Sequence, residues 1–270
     1  MTIDWIVVVG AATAIAAAAR STWSPCGLSM LSSITPFGER SRRHRYGATA
    51  SWFVLGAIAG GLTLGAGAAV MAAAASAVGL SAHAAAASAI AAVIALAAAG
   101  ADSGAFGHWL PLVRRQVDDA WLSSYRPWFY GAGFGWQIGV GVATYIMTAA
   151  VFLVVALAAL TANPLDAMAI GVLFGLARGL TVLLTSRVQS PAQLRSLHRQ
   201  LARIGPAVRA IVIAVEVLVA VAALAEAWPW LATAVGTASA LVAIGWALRG
   251  RVWRPGVAAA VAPSTRLAEH

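Results

Sequence analysis

Long apolar runs separated by short polar segments dominate this chain. They lie at residues 5–19, with a polar-broken continuation to 36, then at 48–75, 82–100, 129–160, 165–185, 207–225 and 230–248. A helix needs ~20 apolar residues to cross a hydrocarbon layer ~30 Å thick, and most of these runs reach that length. Of the 270 residues, 61% are hydrophobic and 10% are charged, against about 25% charged in soluble domains. No water-soluble core absorbs that much apolar surface, and the length leaves no room for a separate soluble domain. The expected fold class is an all-α, polytopic transmembrane helix bundle of about seven spans.

The charges set an orientation for such a bundle. The formal net charge is +9, and all 18 basic residues are arginine, in keeping with a GC-rich bacterial genome. Arg40, Arg42, Arg43 and Arg45 follow the first run, Arg114, Arg115 and Arg126 the third, Arg187, Arg195, Arg199 and Arg203 the fifth, and Arg249, Arg251, Arg254 and Arg266 the seventh. The segments near Gly79, Asn163 and Trp228 carry none. Cytoplasmic loops are the ones enriched in basic residues. This alternation therefore predicts a bacterial inner (plasma) membrane protein with its N terminus outside and its C terminus in the cytoplasm. It also assigns the positive charge to topology and lipid head groups rather than to nucleic acid. Residues 3–19 have the length of a signal-peptide core, with Ala17 and Ala19 at cleavage-like spacing, but no basic residue precedes them. They are read as a retained first span.

Smaller patterns refine the expectation. Gly56, Gly60, Gly61, Gly65 and Gly67 include four-residue spacings that let helices approach closely. Trp128, Trp228, Trp230 and Trp246 fall near predicted span ends, as in an interfacial belt. Over residues 191–204, Leu194, Leu197, Leu201 and Ile204 recur on one helical face and Arg195, Arg199 and Arg203 on the other. That segment is expected to be a short helix lying on the inner leaflet. Residues 110–121 carry a weaker version of the pattern.

The stretch from residue 3 to 36 is too long for one straight crossing, since 34 helical residues would measure ~50 Å. Pro25 lacks an amide donor and Gly27 loosens the chain, so the break is expected at residues 25–27. Irregular backbone at membrane depth must be buried in protein or line a polar cavity. That makes Cys26 a candidate reacting group, although buried cysteines also serve as small hydrophobes. It is the one cysteine in the sequence, which excludes any disulfide within the chain.

Ser24-Pro25-Cys26, an apolar stretch, Pro36, an arginine-rich loop and then Phe53-Val54-Leu55-Gly56 resemble the first half of the CcdA and DsbD membrane domains. These belong to the cytochrome c biogenesis transmembrane family of the LysE-like superfamily. Gly131-Ala132-Gly133-Phe134-Gly135-Trp136 is similar to the start of that family's second half. The resemblance covers roughly residues 5–225. It implies a 3+3 inverted repeat with a Pro-Cys break in each half, and electron transfer across the membrane by thiol–disulfide exchange. On it, residues 1–226 form a six-helix membrane domain, 227–249 an additional helix and 250–270 a cytoplasmic tail.

The sequence departs from the family where the second cysteine is needed. After Trp136 and Gln137, Gly139 stands at that position with no proline before it. A disulfide relay needs an attacking thiolate and a second, resolving thiol, and one cysteine supplies half of that. Three functions remain open. The first is a relay or cytochrome c biogenesis factor using Cys26 with a thioredoxin-like or cytochrome-related partner. The second is a carrier of a small solute or metal ion, and the third a redox-silent assembly subunit of a larger membrane complex.

Arg178 and Glu216 lie inside the fifth and sixth runs. Ionisable groups at such depth are expensive and are usually paired or functional. The preferred expectation is an ion pair between two antiparallel helices, ahead of a substrate or proton site. Gln137, Thr144 and Tyr145 are candidates to line a polar cavity with Ser29, Ser32 and Ser33, or to bond between helices. His44, His83, His108, His198 and His270 are scattered without ligand spacing, so neither a metal nor a cofactor is expected. No phosphate loop, dinucleotide turn or nucleophile elbow is present.

Overall fold

The computed structural model describes residues 4–105 and 125–252, and every regular element among them is helical. The α-helices are α1 (Asp4–Ser21), α2 (Pro25–Ser33), α3 (Pro36–Ser41), α4 (Tyr46–Ala77), α5 (Ala84–Ser103), α6 (Pro127–Val140), α7 (Ala150–Leu160), α8 (Pro164–Leu180), α9 (Pro191–Ala227) and α10 (Pro229–Val252). Short 3-10 turns cover Leu80–Ala82 and Thr181–Thr185. The expectations for residues 110–121 and for most of the 250–270 tail lie outside the described residues.

Local chemistry explains the first break. Pro25 opens α2, where a helix has no partner for the amide that proline lacks. Ser24 caps it, its Oγ accepting from the Gly27 amide at 3.1 Å. The axes of α1 and α2 differ by 68°. The kink therefore falls at residues 22–24, just ahead of the expected 25–27, because proline and serine here start a helix instead of interrupting one.

α4 is the axis of a trio with α6 and α8. Gly56 and Gly60 of α4 lie on the main chain of Ala132 and Trp136, while Gly135 and Gly139 of α6 lie on the carbonyls of Phe53 and Ala57. A Cβ at any of these four positions would sit 2.0–2.2 Å from a carbonyl oxygen. Gly61 and Gly65 make a similar seam with Gly171 and Gly175 of α8. Gly67, which has no glycine four residues to either side, faces open space. The remaining helices pack through side chains. α1 touches α7, α8 and α9, and α5 runs along α9. Ala91, Ala95, Leu153, Leu157, Val219 and Ala223 fill that interior.

Arginine-bearing segments gather at one end. Arg40 donates to Gln189 Oε1 at 2.9 Å, the Phe37 amide to Val188 O at 3.3 Å, and Tyr46 OH to Val182 O at 2.8 Å. The loop holding Arg40, Arg42, Arg43 and Arg45 thus adjoins the loop holding Arg187.

The expected seven spans and 3+3 inverted repeat do not form. Among the described residues, α4, α5, α8 with its 3-10 extension (Pro164–Thr185) and α9 are long and apolar enough to cross a membrane, giving four spans, or five if the bent α1–α2 pair counts as one. The 129–160 run is not one span. Gly141 turns the chain at φ 73° and residues 141–149 carry no helix, which leaves α6 of 14 residues and α7 of 11. No clear repeat relates the halves: α4 has 32 residues where its counterpart α8 has 17.

The surface helix expected at 191–204 is likewise not separate. It continues into the apolar run as α9, a single 37-residue helix with Pro206 inside it. Leu197 and Leu201 turn onto Met30, Leu31 and Ile34 of the α2 region, while Arg195, Arg199 and Arg203 are exposed.

Candidate functional site

Buried polar side chains collect where the helices are broken. At the first break, Cys26 is the second residue of α2 and is 2% exposed. The first turn of a helix presents amide donors and partial positive charge. Arg178 of α8, also buried, reaches the same break. Its Nη2 lies 3.4 Å from the Ser21 carbonyl and its guanidinium 5.9 Å from the Phe174 ring. Cys26 lies within electrostatic range of the Arg178 guanidinium. Arg20, the basic residue nearest Cys26 along the chain, is turned elsewhere. It donates to Met147 Sδ at 3.6 Å and interacts with Asp102 and Arg209.

The Arg178–Glu216 ion pair is not brought together. α8 and α9 each pack on α1, and Glu216 turns toward Asp102 at the C-terminal end of α5. Asp102 is well served: Ala149 N donates to Oδ1 at 2.8 Å and Thr148 Oγ1 donates to Oδ2. Its main-chain carbonyl accepts from Arg209 Nε at 2.7 Å. Glu216 is fully buried; no amide, hydroxyl or guanidinium donor reaches its carboxyl oxygens, and its polar neighbour is the Asp102 carboxyl, near enough to share a hydrogen bond when one of the two holds a proton. The Thr144 hydroxyl, in the same irregular 141–149 segment as Thr148, is also buried without a partner.

A third cluster was not singled out from sequence. Glu39 of α3 is fully buried, yet Thr49 Oγ1 donates to it at 2.5 Å, Tyr130 OH at 2.7 Å and Arg42 Nη2 at 2.7 Å. His44 Nδ1 stands 3.9 Å away and meets the Tyr130 hydroxyl at 3.3 Å. Arg42 reaches on to the Ser33 carbonyl at 2.6 Å. This clasp ties the α2–α3 corner to α4 and α6.

The other sequence candidates occupy different surroundings. Trp136 is half-exposed and its Nε1 donates to Thr63 Oγ1 at 3.1 Å, and Gly139 belongs to the α4–α6 seam, with half-buried Gln137 between them. Ser32 donates to Leu28 O at 2.8 Å and meets His198 Nε2 at 3.3 Å. Among the described residues, no three His, Cys, Asp or Glu side chains gather as metal ligands. Glu39 had one faint signal, as the single acid in an arginine-rich loop. Asp102 had another, as the lone acid closing an apolar run.

Two curated proteins are similar to this chain. The methylamine utilization protein MauF of Paracoccus versutus is 32% identical over 220 residues, covering 78% of this chain and 77% of its own. The methylamine utilization protein MauF of Paracoccus denitrificans is 32% identical over 183 residues, 65% of this chain and 62% of its own. No family model and no solved structure matches.

Proposed function

Since the chain belongs to the MauF family, we propose that it is an inner-membrane thiol-exchange factor serving methylamine utilization, with Cys26 as the reacting group. The observation that carries this reading is that buried Arg178, whose Nη2 donates to the Ser21 carbonyl at the end of α1, lies within electrostatic range of Cys26 in the first turn of α2 at the same helix break. The resemblance to the CcdA and DsbD membrane domains supports the same chemistry.

In the exchange, the Cys26 thiolate attacks one sulfur of a partner's disulfide and forms a mixed disulfide, while the partner's other sulfur leaves as a thiolate. The second thiol, which resolves the mixed species, comes from another protein, since this chain has no other cysteine. Negative charge moves between sulfurs in each step. The α2 amides and Arg178 are placed to stabilise it on the Cys26 side. The arginine-bearing end faces the cytoplasm and Asp4 the outside, in line with the basic-loop rule.

The test is Cys26→Ser in the full-length protein in its native membrane, with thiols trapped by acid and alkylation. Wild type should yield a mixed disulfide on a non-reducing gel and support growth on methylamine, and the variant should do neither. Full growth with Cys26→Ser, and no mixed disulfide in wild type, would leave a carrier or an assembly subunit as the function.

A further inference from the structure

The Asp102–Glu216 pair is electrostatically incomplete. Both carboxyls are buried, at 7% and 0% exposure, and they come from different helices. Two ionised carboxylates side by side repel, so one of them takes up a proton or a cation lies between them. Asp102 has its own donors in Thr148 and the Ala149 amide, with Arg20 of α1 within electrostatic range. Arg209 of α9 is spent on the Asp102 main-chain carbonyl. None of these serves the oxygens of Glu216. An ionised carboxylate left unpaired in apolar packing costs several kcal/mol, and Val219, Ala220 and Leu153 make that packing apolar.

A second orphan lies in the segment that serves Asp102. The Thr144 hydroxyl has no partner although it is 1% exposed. It lies in the non-helical 141–149 segment that also supplies the Thr148 and Ala149 donors. Interrupted helices with free backbone and hydroxyl groups are where membrane proteins hold small ions. The absence of a third carboxylate, histidine or cysteine among the described residues argues against a divalent metal.

We propose that Glu216, with Asp102 beside it, is a binding site for a small monovalent cation, either a proton or a sodium ion. Its charge offsets the repulsion between the two buried carboxylates. The site is separate from Cys26 and is independent of the thiol chemistry.

Full-length protein in detergent should be treated with dicyclohexylcarbodiimide, which attacks buried carboxyls that carry a proton, and the modified residue located by peptide mass. Labelling is expected on Glu216 and lost in Glu216→Gln. If added sodium, but not choline, protects Glu216, the cation is sodium. If sodium has no effect and labelling changes with pH, it is a proton. Thermal unfolding gives a second readout: the wild-type midpoint should shift with the same cation, and the shift should vanish in Glu216→Gln. Labelling that ignores both pH and sodium, or an identical cation response in wild type and Glu216→Gln, would overturn the proposal. The wild-type labelling decides the matter even if the variant does not fold.

Discussion

The α4–α6–α8 trio and the α1–α5–α7–α9 group reach a closed interior by opposite means. In the trio, glycines let main chain rest on main chain, and carbonyls stand where Cβ atoms would be. In the other group, alanine, leucine and valine side chains interlock. The breaks belong to this second group and its borders: residues 22–24 follow α1, and 141–149 precede α7. Arg178, Cys26, Asp102, Thr148 and Glu216 all lie at or beside them. A broken helix frees donors and acceptors that must be met inside the protein. Polar residues follow the breaks, and the glycine seam needs none.

The largest expected effect tests the seam. Gly135→Leu would place a side chain where the Phe53 carbonyl stands and should abolish recovery of monodisperse protein on size-exclusion chromatography. Even Gly135→Ala should cost about 3 kcal/mol. A normal yield of the leucine variant would mean that side chains, not backbone contact, close the trio. Next comes the Glu39 clasp. Glu39→Ala strands Arg42, Thr49 and Tyr130 together and should lower stability by about 3–5 kcal/mol, read as thermal unfolding in detergent. Glu39→Gln, which keeps the shape and part of the bonding, should lose less. A smaller loss is expected of Thr148→Val, which removes one donor to Asp102 and should cost about 1–3 kcal/mol. The smallest effect is Gly67→Ala, at an α4 position facing open space. It should be neutral or stabilise by up to ~1 kcal/mol. If Gly67→Ala were as harmful as Gly135→Ala, position along α4 rather than backbone contact would govern tolerance.

Hydropathy and charge made the membrane class, the all-helical composition and the grouping of Arg40 with Arg187 legible. The four-residue glycine spacing was legible too, since it pairs Gly56 with Gly60 and Gly61 with Gly65 and leaves out Gly67. What remained hidden has one cause: a run of apolar residues reports depth but not direction. Arg178 and Glu216 both fall inside apolar runs yet turn to different neighbours, Cys26 and Asp102. Gly141 was hidden in an unbroken apolar run because its positive φ, not its hydropathy, ends α6. Residues 191–204 looked like a separate helix because their amphipathic pattern differs from that of the apolar run after them. A change of pattern does not interrupt backbone hydrogen bonding, and even Pro206 leaves α9 continuous.

The seam also sets how the two groups age under mutation. Where a neighbour's carbonyl fills the place of Cβ, every substitution at Gly56, Gly60, Gly135 or Gly139 displaces a whole helix, and no compensating change in a side chain restores the fit. An interior of alanine, leucine and valine accepts exchanges of similar volume, and a second change can repair the first. Over generations the trio is therefore held nearly fixed, while the α1–α5–α7–α9 group is free to drift and to acquire new polar residues at its breaks.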